Sequence, residues 1–279
     1  MSSILTNNSA MTALATLRGI NKSLDGTQNR ISTGLKIESG KDNAAYFAIS
    51  RTMDSESNMY KAIDESLTLK QNSVSTARLG AETVADIAEE FVERVAFAQG
   101  SAGDASALAD IQSELDALVD RINTTINQAT FNGESLVTSA STQTLVTGVT
   151  RSGGSLSVTT ITFNAQDLNT SIAAVLAAID VTSTSTGALT SALTTAQGAL
   201  DRAISAATNL GVAEKSIETQ KEFLSQLTDR IDSGVGSMID ADMEEEAARL
   251  QALQVQQQLA TQSLSIANQA PQNILSLFR

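Results

Sequence analysis

Cysteine, histidine and tryptophan are absent from the 279-residue sequence, and proline occurs once, at Pro271. Without cysteine there are no disulfides, thiolate metal sites or cysteine nucleophiles. Without histidine the commonest general base and metal ligand are gone as well. Most enzyme classes thereby lose their usual parts, and neither a cofactor nor a metal site is expected. Aromatic residues make up 3% of the chain, so the apolar content rests on Ala, Leu, Ile and Val. Those residues suit close helix-on-helix packing better than a bulky globular interior. A single proline leaves long helices uninterrupted, since an interior proline costs a helix about 3 kcal/mol.

Basic residues are also scarce, with 18 Lys and Arg against 31 Asp and Glu and a net charge of −13. No basic patch is available to displace counterions from phosphates, which argues against nucleic-acid binding, while the charge favours solubility. The opening MSSILTNNSAMTAL lacks a charged segment followed by a continuous apolar stretch, and no run of about 18 apolar residues occurs. Neither a Sec-type signal nor a membrane span is expected. A protein of this kind that left the cell would need another route.

What is present is periodicity. Ile49, Met53, Glu56, Tyr60, Ile63, Leu67, Lys70, Val74, Ala77, Ala81, Val84, Ala88, Phe91 and Val95 alternate spacings of four and three, the pattern of a coiled-coil seam. The seam ends at Gly100 and Gly103. Asp104 can then cap a second helix carrying Leu108, Ile111, Leu115, Leu118, Ile122 and Ala129. Asn132-Gly133 is a strong turn signal. Residues 134 to 186 are rich in Ser, Thr and Gly, and Leu156-Ser157-Val158-Thr159 alternates as a strand does. Helical spacing returns from Leu189 through Leu193, Ala196, Leu200, Ala203, Ala207, Leu210, Ile217 and Leu224 to Ile231. Glu214, Lys221 and Thr228 fill seam positions, and the stop signal falls near Gly234 and Gly236.

Both ends carry weaker stripes. Leu14, Leu17, Leu24, Ile31 and Leu35 form one, broken by Asn21 and Gln28. Leu250, Leu253, Gln257, Ala260, Leu264, Ala267, Ile274 and Phe278 form the other. Each is too narrow and polar to bury itself alone, so the two are expected to pair, and to order only when assembly covers them. The first stripe is flanked by Arg18, Lys22, Arg30 and Lys36, the second by Asp240, Asp242, Glu244, Glu245 and Glu246, a balance that suits an antiparallel pair.

The expected fold is therefore mainly α, a long antiparallel helical coiled-coil trunk with a small β-containing insertion and paired terminal helices. Its segments are a terminal helix over 1–40, the first part of the trunk with a turn or hairpin at its end over 41–135, and an insertion over 136–184. The returning trunk helix spans 185–236, and the second terminal helix spans 237–279. Exposed apolar stripes at the terminal end mark a surface for other subunits.

Two stretches bear a family resemblance. Arg30-Ile31-Ser32-Thr33-Gly34-Leu35-Lys36-Ile37, with Gly40-Lys41-Asp42-Asn43-Ala44-Ala45 and Ala48-Ile49-Ser50, closely resembles the N-terminal signature of bacterial flagellins. Ala267 to Arg279, with Asn268, Pro271, Asn273 and a Phe278 where many members have Leu, looks like the C-terminal one. The likeness extends over roughly 1 to 135 and 185 to 279. It implies a structural subunit of the flagellar filament that forms a homo-polymer, is exported unfolded by the flagellar type III apparatus with a chaperone, and assembles at the distal tip beside cap and hook-associated proteins. Localisation would then be the extracellular filament. The alternatives are a hook-filament junction protein of the same superfamily or a coiled-coil adhesin. A metalloprotease insertion, which some members carry, is ruled out because its H-E-x-x-H motif needs histidine.

The resemblance places filament-core packing on Leu14, Leu17, Leu24, Ile31, Leu35, Leu250, Leu253, Ala260, Leu264, Ile274 and Phe278. It also implies recognition by a host innate immune receptor through a helix face aligned with Glu89 to Gln99, where Glu89, Glu93, Arg94 and Phe97 are the candidates. Glu93 stands where recognised members have a central Arg, and a carboxylate cannot supply guanidinium donors, so recognition is expected to be weak. The polar seam residues Asn21, Gln28 and Gln257 either set register or face solvent or the filament lumen. Gln254 to Gln258 suit a water-filled channel, and the acidic run from Asp240 to Glu246 suits a helix start rather than a cation site. The Ser- and Thr-rich insertion is compatible with O-glycosylation and equally with plain turns.

Overall fold

The computed structural model describes residues 7–152, 155–183 and 185–276, with the backbone alone for Ser152 and for 270–276. The chain is helical for most of its length. In order come α1 (Asn8–Thr33), α2 (Ala44–Gly100), α3 (Ala105–Gln128), the two-residue strands β1 (Thr130–Phe131) and β2 (Glu134–Ser135), and the longer β3 (Thr142–Ser152) and β4 (Ser155–Asn164). A π-helical turn, Asn169–Ala173, runs into the short α4 (Ala174–Ala177), followed by α5 (Thr186–Ile239) and α6 (Met243–Ser276).

Local chemistry sets the boundaries. The Asn7 side chain accepts a hydrogen bond from Ala10 N–H at the start of α1, and Gly34, at φ 73°, closes that helix in the left-handed conformation with its N–H on Arg30 O. Asp104 accepts from Ser106 and Ala107 N–H to start α3. At Asn132-Gly133 both residues have positive φ, 50° and 78°, and Phe131 pairs with Glu134 across them. That is the two-residue turn whose twist matches the flanking strands. Gly234 and Gly236 do not stop α5, which runs through them to Ile239. An interior glycine costs a helix only about 1 kcal/mol, and the chain turns where Asp240 takes over.

The chain divides into two compact units, 58–229 and 1–57 with 230–279. The first holds one continuous core. Phe91, Leu67, Leu108, Leu115, Ile122, Leu189, Leu210 and Ile217 are its largest buried side chains together with Leu136, Leu168, Ile172 and Leu176. The last four lie in the stretch expected as surface insertion, which is therefore partly interior. Gln166 and Leu168 N–H groups bond to Leu136 and Val137 carbonyls, and Gln112 of α3 receives Val181 N–H, so this stretch wraps into the core. Its π-helical turn and α4, apolar on one side through Ile172 and Leu176, carry no strong sequence signal because five and four residues are too few to show a period.

The β3–β4 hairpin is antiparallel, with a bulge between Val146 and Gly148. Thr147 is buried there, and Gln220 donates to its carbonyl while Tyr60 donates to Val149 O. The alternation of Leu156 to Thr159 does make a strand, yet Leu156 and Val158 are exposed.

In the second unit the early α2 seam departs from the heptad. Ile49 is 48% exposed, while Ser50 and Ser57 are buried in place of Ile49 and Glu56. Ser57 donates to Asp232 Oδ1 from its buried position, a polar tie that holds this face of α2 inward.

Candidate assembly surface

The candidate assembly surface is the α1–α6 pair, which belongs to the second unit. Its antiparallel course follows from a series of ties. Asn7 Nδ2 donates to Ala267 O at 2.8 Å, Gln257 Nε2 to Asn21 Oδ1 at 2.8 Å and Arg30 to Glu246 Oε1 at 3.0 Å. At the base, Leu35 bridges Asp240, with Lys36 N–H on Ile239 O and Ala241 N–H on Gly34 O. The left-handed Gly34 turns the chain out of α1 so that this junction can form. Asp242 Oδ1 then caps α6 by accepting from Glu244 and Glu245 N–H.

Along the seam the apolar side chains are only half covered. Leu17, Leu24, Ile31, Leu250, Leu253, Ala260 and Leu264 are all intermediate in exposure, as is Leu35 at the junction. Leu14 faces outward, with Ala13 nearer the partner helix, and Gln28 is exposed because Thr27 takes the buried position beside it. Ile274 and Phe278 lie outside the residues whose side chains are described, as do Pro271, Asn273 and Arg279. In α1 the buried residue is Thr27, and among the described side chains of α6 it is Glu246, 5% exposed. Met11, Val255, Leu259 and Ile266 are exposed on the outer faces.

The charged residues divide by role. Glu246 is buried, and its Oε1 takes Arg30 and, at 3.4 Å, Arg249, while its Oε2 has no partner. That inward carboxylate is the feature sequence reasoning missed, since it stood in an acidic run read as a helix start. Asp42 does not line a site. Its carboxylate accepts from the Ser39 hydroxyl and the Ser39 and Glu38 N–H groups, and these bonds hold its pKa below the ordinary value. Ser32, Lys41 and Asn268 are exposed. Of the Gln-rich run, Gln257 turns to the seam and Gln254, Gln256 and Gln258 face outward. Glu89, Glu93, Arg94 and Phe97, the last 63% exposed, lie on the outer side of α2 in the first unit, where Arg94 reaches Glu114 at 3.5 Å.

A pair of helices with half-covered leucines and exposed outer apolar residues is a surface waiting for more of its kind. Comparison with known proteins says which kind. Residues 4–142 match the bacterial flagellin N-terminal helical region, and 191–278 match the C-terminal helical region. The chain belongs to the bacterial flagellins. A flagellin of Brucella melitensis is 41% identical over all of both chains, and flagellin FljK of Caulobacter vibrioides is 36% identical over all of this chain and 99% of that one. The crystal structure of Bacillus cereus flagellin, at 14% identity, gives a TM-score of 0.40 over 67% of this chain and 94% of that one. As a flagellin the chain is a structural subunit of the flagellar filament, an extracellular homo-polymer.

Proposed function

We propose that α1 and α6 are the segments through which this flagellin polymerises, and that neighbouring subunits cover the seam and outer faces left open in one chain. The supporting observation is that no apolar side chain described in α1 or α6 is fully buried, although both helices are patterned for burial. Burying such area is worth about 25 cal/mol per Å², enough over two long helices to drive association. Before assembly the pair has too little to bury and is disordered.

The rest of the pathway follows from the family. The chain travels unfolded through the flagellar type III apparatus with an export chaperone, and folds at the distal tip beside the cap and hook-associated proteins. Its role is structural, as in the family, and the chain has no cysteine or histidine to act as nucleophile or general base. Recognition by a host immune receptor through Glu89, Glu93, Arg94 and Phe97 is weak, because Glu93 offers no donor where a guanidinium is required. Electron microscopy of the purified chain under polymerising conditions tests the central reading. Filaments that form from the whole chain and vanish on deletion of 1–40 or 240–279 are the expected result; a stable monomer that never polymerises would sink it.

A further inference from the structure

The α1–α6 seam has an ambiguity built into its apolar pattern. Leu17, Leu24 and Ile31 stand seven residues apart, as do Leu253, Ala260 and Ala267, whereas Leu250 and Leu264 stand fourteen apart with Gln257 between them. Sliding the outer half of α1 by a heptad toward the far end of α6 carries Leu17 from the level of Ala260 to that of Ala267 and Leu24 from the level of Leu253 to that of Ala260, so burial of these leucines does not distinguish the two registers. Polar groups do. A slip that brings Asn21 to the level of Leu264 or Leu250 separates it from Gln257, and two half-buried amides lose their partners. Leaving buried polar groups unpaired is more costly than the bond itself is favourable.

The backbone junction at Leu35 and Asp240 holds the near end of the pair, but α1 has weak points beyond it. Gly26 and Gly19 sit inside the helix on either side of Asn21, and a Cβ at either would meet no atom within 4 Å. Packing therefore does not require glycine at these two places. Each loses more backbone entropy in a helix than alanine would, so α1 can unwind there. Once it yields at Gly26, the outer half of α1 is free of the junction. The next tie along the pair is the 2.8 Å bond from Gln257 Nε2 to Asn21 Oδ1.

We propose that Asn21 and Gln257 are the register-determining residues of the terminal helix pair, holding the outer half of α1 in one alignment on α6 across the soft point at Gly26. The proposal rests on polymerisation through this pair and adds to it the choice of register. The Asn7 and Ala267 tie lies farther out and uses a backbone carbonyl, which every residue offers, so it cannot select one register from another.

The test uses the full chain, whose lack of cysteine makes engineered thiols unambiguous. L17C/A260C reports the native register and L17C/A267C a slip of one heptad. Both are oxidised in polymerised samples carrying the natural seam, N21L/Q257L or the reciprocal N21Q/Q257N. The natural and reciprocal seams should cross-link in the native register. The leucine pair should raise the slipped-to-native ratio at least about tenfold, and adding G26A to it should bring the ratio back down. A leucine pair that keeps a single register, or that fails to polymerise at all, would overturn the proposal, because slippage predicts too many pairings rather than none. A reciprocal seam that slips would overturn it as well. Absence of filaments from the natural chain under electron microscopy would instead count against polymerisation itself, separately from the cross-link ratio.

Discussion

The two compact units use the same vocabulary of Ala, Leu, Ile and Val at heptad spacing, with almost no aromatics, and end in opposite states. In 58–229, α2, α3 and α5 together with the 136–181 stretch surround one seam from several sides, and residues such as Val74, Ala81, Phe91, Ala196 and Ile217 are fully enclosed. In the other unit, among the described residues, α1 and α6 have each other along most of their length, and their leucines stop halfway. The difference teaches that a heptad pattern states which face is sticky but not how many partners will cover it. A two-helix layer cannot enclose a side chain that a multi-sided one can, and under the proposed function the shortfall is what polymerisation makes good.

Substitutions should break the two units differently. Phe91→Ala removes the largest enclosed side chain of the first unit and should lower the stability of the soluble chain by about 3–5 kcal/mol, read as a drop in thermal midpoint by circular dichroism. Gly80→Ala should follow at about 1–3 kcal/mol, since its new Cβ would stand 2.4 Å from Ala129 Cβ and α3 has to shift. Leu253→Ala inverts the contrast: the melting of the soluble chain should move by less than about 0.5 kcal/mol, whereas the concentration needed to form filaments, followed by sedimentation, should rise. A large loss of monomer stability with Leu253→Ala would mean that the terminal pair is already enclosed before assembly.

The smallest effect concerns pH. Bonds from the Ser106 hydroxyl and the Ala107 and Ser106 N–H groups lower the Asp104 pKa, as those from Ser39 and Glu38 lower that of Asp42. A carboxylate with a depressed folded pKa adds stability that is present above its ordinary value of about 3.9. That stability is lost as pH falls through the folded value. Both groups are exposed, so the contribution is slight. Asp104→Asn should flatten the acid limb of a stability–pH curve below about pH 4, and an unchanged limb would show that the cap does not favour the charged form.

Much of this was legible in the residues. The stops near Gly100 and Gly103, the Asp104 cap, the Asn132-Gly133 turn and the α5 seam depend on interactions within a few residues, and periodicity showed the faces of α3 and α5 directly. The flagellin signatures at both ends were also visible as strings. Other features were not. Ser50 and Ser57 are buried where the heptad pattern puts Ile49 and Glu56, and the partner that receives Ser57, Asp232, lies 175 residues away. Leu168, Ile172 and Leu176 are interior although their neighbourhood reads as loop, since their burial depends on α3 and α5 arriving from distant sequence.

The sequence by itself determined that this chain makes long helices with one adhesive face each, that it has neither cysteine nor histidine, and that it is a flagellin. Those properties follow from propensity, spacing and composition, which act within a few turns of the chain. Only the tertiary structure decided that one of the five acidic residues between 240 and 246, Glu246, turns inward to Arg30, and that Gln257 meets Asn21. Such choices belong to residues more than two hundred positions apart, and their energies exist only once both helices are in place.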